Sequence, residues 1–129
     1  MKKFLLSFNL VILLSVFLTP LEALAGNKKG YALIQINIKN HELFFSTYGQ
    51  KVPPIVAKYG GKALVATPAV DLKEGNWNHN WSVVLEFPSK KKALNWYHSK
   101  EYQKIVHLRR KAVDYSNIVI VEEFSAPTN

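Results

Sequence analysis

Glu86 and His98 are the two side chains best placed to move a proton. Glu86 stands between Leu85 and Phe87 in an alternating apolar run. A carboxylate held near the centre of a sheet and stripped of water would have a raised pKa and could abstract a proton. The competing reading is a strand-end carboxylate paired with a lysine or a backbone amide. His98 follows Trp96-Tyr97. It could reach a cleft as an acid or base, or simply satisfy the last carbonyls of a helix. His79, in a polar loop beside Trp77 and Trp81, has the same two readings. With His41 and His107 they complete the histidines, and no pair has the i, i+4 spacing or the acidic or thiol company of a metal site. No metal and no cofactor is therefore expected.

The second chemical resource is aromatic. Tyr31, Tyr48, Trp77, Trp81 and Trp96, with Tyr97 and Tyr102, could line an apolar pocket with polar tips. The plainer account is ordinary core packing. Trp77 resists that account, since a loop tryptophan needs a pocket to close or a second subunit to touch. Two basic clusters remain, Lys90-Lys91-Lys92 and Arg109-Arg110-Lys111. Nucleic-acid binding would want aromatics interleaved on an exposed sheet face. These clusters read instead as solvated helix ends, with late basic residues complementing the helix dipole. Neither a nucleophile triad nor a phosphate-cradling glycine loop is present.

These residues need elements to hold them. Tyr31–Ile38 is apolar on both sides, as a central strand is. Asn40 can cap a helix, and Phe44, Tyr48, Val52, Ile55 and Tyr59 recur at steps of three and four. Pro53-Pro54 interrupts that stripe. Proline costs about 3 kcal/mol inside a helix, so the spacing predicts a kink or two stacked pieces, ended by Gly60-Gly61. Lys62–Thr67 is a strand limited by Pro68, and the polar stretch Asp71–Asn80 leads into the Trp81–Phe87 strand. Ser89 and Ser99 each open a helix. Ala93, Trp96 and Tyr97 form the inner face of the first, and Tyr102, Ile105 and Leu108 that of the second. Tyr115–Phe124 is the last strand, with Ile118, Ile120 and Phe124 on one face and Val119 and Val121 on the other.

The first 25 residues carry a different signal. Lys2-Lys3, the apolar run Phe4–Leu18, Pro20 and Ala23-Leu24-Ala25 together make a secretory signal peptide cleaved after Ala25. The run is shorter than the ~20 residues of a spanning helix, so no stable membrane insertion is expected after cleavage. The chain has no cysteine, which excludes a lipid anchor at the new terminus and any disulfide. The formal charge is +8 for the whole chain. Residues 1–25 hold two lysines and one glutamate, so +7 remains on residues 26–129, read as one domain in the periplasm or outside the cell. That balance suits anionic surfaces, and equally a soluble basic protein.

The order β-α-β-β-α-β predicts an α+β, ferredoxin-like domain: a four-stranded antiparallel sheet with its helices on one face. The other face also carries large apolar residues. The usual solution is a second copy, sheet against sheet, so a homodimer is expected.

Several stretches share a further pattern: Tyr31 opening its strand, Val52-Pro53 followed by Ala57-Lys58-Tyr59-Gly60-Gly61, Glu74-Gly75-x-Trp77, Leu85-Glu86-Phe87-Pro88-Ser89, Trp96-Tyr97, Ser99-x-Glu101-Tyr102 and Arg109-Arg110. In this the chain resembles the bacterial family called domain of unknown function 1330, over roughly Tyr31–Phe124. The resemblance implies a dimeric α/β barrel closed by two sheets, and no particular reaction. Its wider superfamily includes monooxygenases, isomerases and binding proteins. Where family members often carry arginines, in the second strand and just before the third, this chain has Ala66 and Trp81. Two functional readings follow. One is a module that binds a small apolar or weakly acidic molecule. The other is a cofactor-independent isomerase or monooxygenase using Glu86 or His98 for proton transfer.

Overall fold

Ala32, Ile34, Ile36 and Ile38 alternate along one side of β1 (Gly30–Ile38), and all four are buried. They set the plane on which the rest packs. In the computed structural model, which describes residues 28–127, β1 is central. It pairs antiparallel with β3 (Trp81–Phe87) on one side and β4 (Val113–Glu122) on the other. The strand β2 (Lys62–Thr67) adds to β3, giving the order β2-β3-β1-β4. The signal peptide read at residues 1–25 lies outside the described residues.

Helices cover the face that carries Ile34, Leu85 and Phe87. Asn40 caps α1 (His41–Leu43) by accepting a hydrogen bond from Leu43 N at 2.9 Å. The winding then loosens into a π-helical segment, Phe44–Gly49, with Phe44 and Tyr48 turned inward. A fresh helix, α2 (Val52–Lys58), begins after Lys51, with its prolines in the first turn, where a missing N–H leaves no bond unmade. The expected two pieces are present, although the π winding was not foreseen. Gly60 takes φ +75° at the end of α2, and a Cβ there would also meet the Pro88 ring at 2.9 Å.

The second half follows the predicted caps. Ser89 Oγ accepts from Lys92 N at the start of α3 (Lys90–His98), and Ser99 Oγ accepts from Tyr102 N at the start of α4 (Lys100–Ala112). Ala93 and Trp96 of α3 are fully buried. On α4 the buried stripe is Tyr102, Val106, Arg109 and Ala112, with Ile105 and Leu108 only half covered. Arg109 is thus not part of a solvated helix end: it falls seven residues after Tyr102, two turns along the same face. The last strand also differs from expectation. It starts at Val113, directly from the helix, and stops at Glu122, leaving Phe124 outside the sheet and 84% exposed. The junction is fastened because Ala112 O accepts from both Lys39 N (3.0 Å) and Asn40 N (3.1 Å).

The opposite sheet face has no helix on it. Leu33, Val65, Val119 and Val121 are exposed there, beside half-buried Val84. Among the described residues, no helix is long and apolar enough to cross a membrane.

Candidate functional site

Small side chains open a space between the first helices and the sheet. Ala63 and Ala66 are the β2 residues that share a face with Leu85 and Val83, and neither fills the room beneath the π segment and α2. The result is a cleft of about 280 Å³, walled by Ile34, Ile36, Val83 and Leu85 below and by Phe44 and Tyr48 above. Trp81 closes one side, its ring edge-to-face with Phe45 at 5.1 Å. Trp96 lies deepest, fully buried, and its indole Nε1 has no hydrogen-bond partner. Among the described residues, Lys62 is the only charged one along the lining. The volume is nearly twice that of an apolar cavity that admits benzene, about 150 Å³.

Behind the cleft sits a buried polar group that sequence reading missed. The Tyr48 and Tyr102 hydroxyls are 2.8 Å apart, and Arg109 Nη1 donates to Tyr102 at 2.5 Å and to Tyr48 at 3.3 Å. The guanidinium also lies 5.6 Å from the centre of the Tyr48 ring, within cation–π range. Burial pushes the Tyr102 phenol far above its ordinary value, so it stays protonated. Burial works against the Arg109 charge, but the two tyrosine oxygens outweigh it and hold the net shift upward. The Tyr102-to-Arg109 spacing was the available signal. It was masked by Arg110 and Lys111, which make the three look like one exposed run.

The five aromatic candidates divide. Tyr48, Trp81 and Trp96 meet in the cleft. Tyr31 is on the open sheet face, directly opposite Glu86 in the β1–β3 register. Trp77 stays in the β2–β3 loop, edge-to-face with His79 at 5.4 Å, and His79 in turn meets Tyr115 at 5.2 Å. His79 Nε2 lies 3.3 Å from Asn117 Nδ2.

Neither proton-transfer candidate lines the cleft. Glu86 also occupies the open face, where Lys29 Nζ reaches one carboxylate oxygen at 3.2 Å and Lys62 Nζ the other at 3.3 Å. Its side chain is only 12% exposed. Burial alone would push the carboxyl up, but the two lysines together outweigh it and leave it below its ordinary value. This is the lysine-paired reading of Glu86, and the raised pKa required of a base is absent. His98 ends α3 exposed, its ring edge-to-face with Tyr97 at 5.3 Å. Among the described residues, no cluster of three or more His, Cys, Asp or Glu could hold a metal.

Solved structures share this architecture. A protein of unknown function from Rhodopseudomonas palustris is 16% identical, with 78% of this chain and 85% of that chain covered and a TM-score of 0.63. A dimeric protein of unknown function and ferredoxin-like fold from Bacteroides fragilis is 9% identical, covering 73% and 95%, at 0.50. A NIPSNAP family protein of unknown function from Agrobacterium tumefaciens is 11% identical, covering 78% and 94%, also at 0.50. At these identities the likeness concerns the fold, which is ferredoxin-like. No curated protein matches the chain. The family model described as domain of unknown function (DUF1330) matches residues 29–124, from the lysine that pairs with Glu86 to just past β4. With the whole sheet, its helices and the cleft inside that match, the chain belongs to the DUF1330 family.

Proposed function

We propose that the protein binds a small apolar molecule in the cleft between the π segment, α2 and the sheet. The observation that carries this reading is the cleft itself: about 280 Å³ of space whose lining is almost wholly apolar. Ala66 and Trp81, at the two positions where the resemblance leads one to expect arginines, both line it. An apolar or weakly acidic ligand suits such walls better than a strongly charged one. Glu86 and His98 lie away from this space, which favours binding over proton transfer.

The working unit in this reading is a homodimer that buries Leu33, Val65, Val119 and Val121 between two sheets, closing an α/β barrel. The charged start, apolar run and Ala-Leu-Ala site support export, with the mature chain beginning at Gly26. Intact mass from the native host should then lack residues 1–25.

The decisive experiment is native mass spectrometry of protein purified from its own host, followed by titration with an uncharged fluorescent apolar probe, N-phenyl-1-naphthylamine. A co-purifying small ligand, and probe binding at least tenfold weaker in Ala66→Phe, is the expected result. Probe affinity unchanged by Ala66→Phe in a protein of native circular dichroism overturns the assignment of the cleft.

A further inference from the structure

A second depression lies on the far side of Arg109. It is a shallow cleft of about 420 Å³ where α3, the end of α4 and the start of β4 meet. Tyr97, Arg110, Tyr115 and Ser116 border it, and Arg109 contributes to it. Arg109 is 5% exposed, and among the described residues no carboxylate stands within ion-pair distance of it. Its protein partners are two phenol hydroxyls, both engaged by the same nitrogen, Nη1. The Nε is buried without a partner.

That combination is physically incomplete. A guanidinium cannot shed its proton to ease burial. The two hydroxyls favour the charged form, but they supply no countercharge and leave the Nε donor unpaired. The side-on Nε edge is the one that accepts a carboxylate or phosphate through two parallel hydrogen bonds. Arg110 adds a second positive charge at the rim, and the Ser116 hydroxyl is a further donor. Asp114, exposed at the same border, is the opposing negative group.

We propose that this cleft is an oxyanion site, in which Arg109 and Arg110 hold the carboxylate or phosphate group of a small solute. The site is separate from the apolar cleft and shares with it only the tyrosine pair: Tyr48 walls one, and Arg109, bonded to Tyr48, contributes to the other.

The test is nuclear magnetic resonance of the purified protein, following the Arg109 Nε–H signal and the Ser116 amide. Benzoate and inorganic phosphate serve as separate probes, each compared with sodium chloride at matched ionic strength. A saturating shift at millimolar concentration is expected with at least one probe. Benzoate alone would identify a carboxylate solute, phosphate alone a phosphate solute, and both a site for either. Arg109→Lys keeps the charge and removes the fork, and should weaken the Ser116 response at least tenfold. If that variant does not fold, exposed Arg110→Gln should weaken it severalfold. Overturning results are a response no larger than chloride gives, or one unaltered in every folded arginine variant. A shift of the Arg109 signal in Asp114→Asn without added anion would also overturn the proposal, since Asp114 would then fill the place itself.

Discussion

The Asn80 side chain takes the place of a strand residue beside Ile38. Its Oδ1 accepts from Ile38 N and its Nδ2 donates to Ile38 O, both at 2.7 Å, while Asn80 N donates to Ile36 O at 3.1 Å. One side chain thus extends the β1–β3 ladder past the point where β3 begins. It also anchors the end of the loop that carries Trp77 and His79.

Asn80→Ala should leave both Ile38 backbone groups unpaired. The expected loss is about 1–3 kcal/mol of stability, measured by urea denaturation. Asn80→Asp keeps the acceptor and loses the donor, and should fall between wild type and Asn80→Ala near neutral pH. Equal stability of all three proteins would show that the contact contributes nothing.

Tyr102→Phe removes the shorter of the two Arg109 hydrogen bonds and should cost about 1.5–3 kcal/mol, the range for bonds to charged groups. Tyr48→Phe removes the longer one and should cost less. The double variant should depart from the sum of the two, because both hydroxyls serve one guanidinium. Additive values in a double-mutant cycle would count against a coupled cluster.

The lysine pair lowers the Glu86 carboxyl relative to its ordinary value of 4.5. A depressed folded-state pKa means that the stabilisation is fully present above the unfolded-state value and is lost as pH falls through the folded-state one. Lys29, raised from 10.5 chiefly by its hydrogen bond to Glu86, contributes in the opposite sense. Its share is present below about 10.5 and lost as pH rises through the raised value. Glu86→Gln should therefore flatten the acid limb of the stability–pH curve below about pH 4.5 and lower the plateau at neutral pH. A thermal melting series from pH 2 to 7 would read both, and an acid limb identical to wild type would remove Glu86 from the account.

Val119 and Ile120 are adjacent on β4 but face opposite ways. Val119 is 53% exposed on the open face, whereas Ile120, half-buried, pairs with Ala32 on the helix side. Val119→Lys should give a folded monomer by light scattering at micromolar concentration. Ile120→Lys, which places a charge against the core, should abolish the folded state. A dimer that survives Val119→Lys would place the interface elsewhere.

The element order and both serine caps were legible because apolar periodicity and capping chemistry are local. What escaped depended on neighbours. Phe44 and Tyr48 fit a helical step of four, and nothing local in the sequence sets π winding apart from α winding. Val113 enters β4 without a loop because Ala112 is fastened to the end of β1, a contact far apart in sequence. Tyr48, Trp81 and Trp96 were named among the aromatics, yet their convergence required the room left by Ala63 and Ala66 on another strand. Glu86 was visible as a core-strand carboxylate. Its state is decided by Lys29 and Lys62, each more than twenty residues away.

The central position of β1 bears on when the chain can become itself. Both hydrogen-bonding edges of this first strand are filled by strands made much later, and one of them by the last strand of all. During synthesis the N-terminal half has no local partner with which to finish its sheet, so it stays uncommitted until residues near Glu122 emerge. Pairings this distant in sequence slow folding relative to local ones. A chain that delays closure in this way keeps both edges of β1 open until its last strand is made, and open edges are where a strand of another chain can pair.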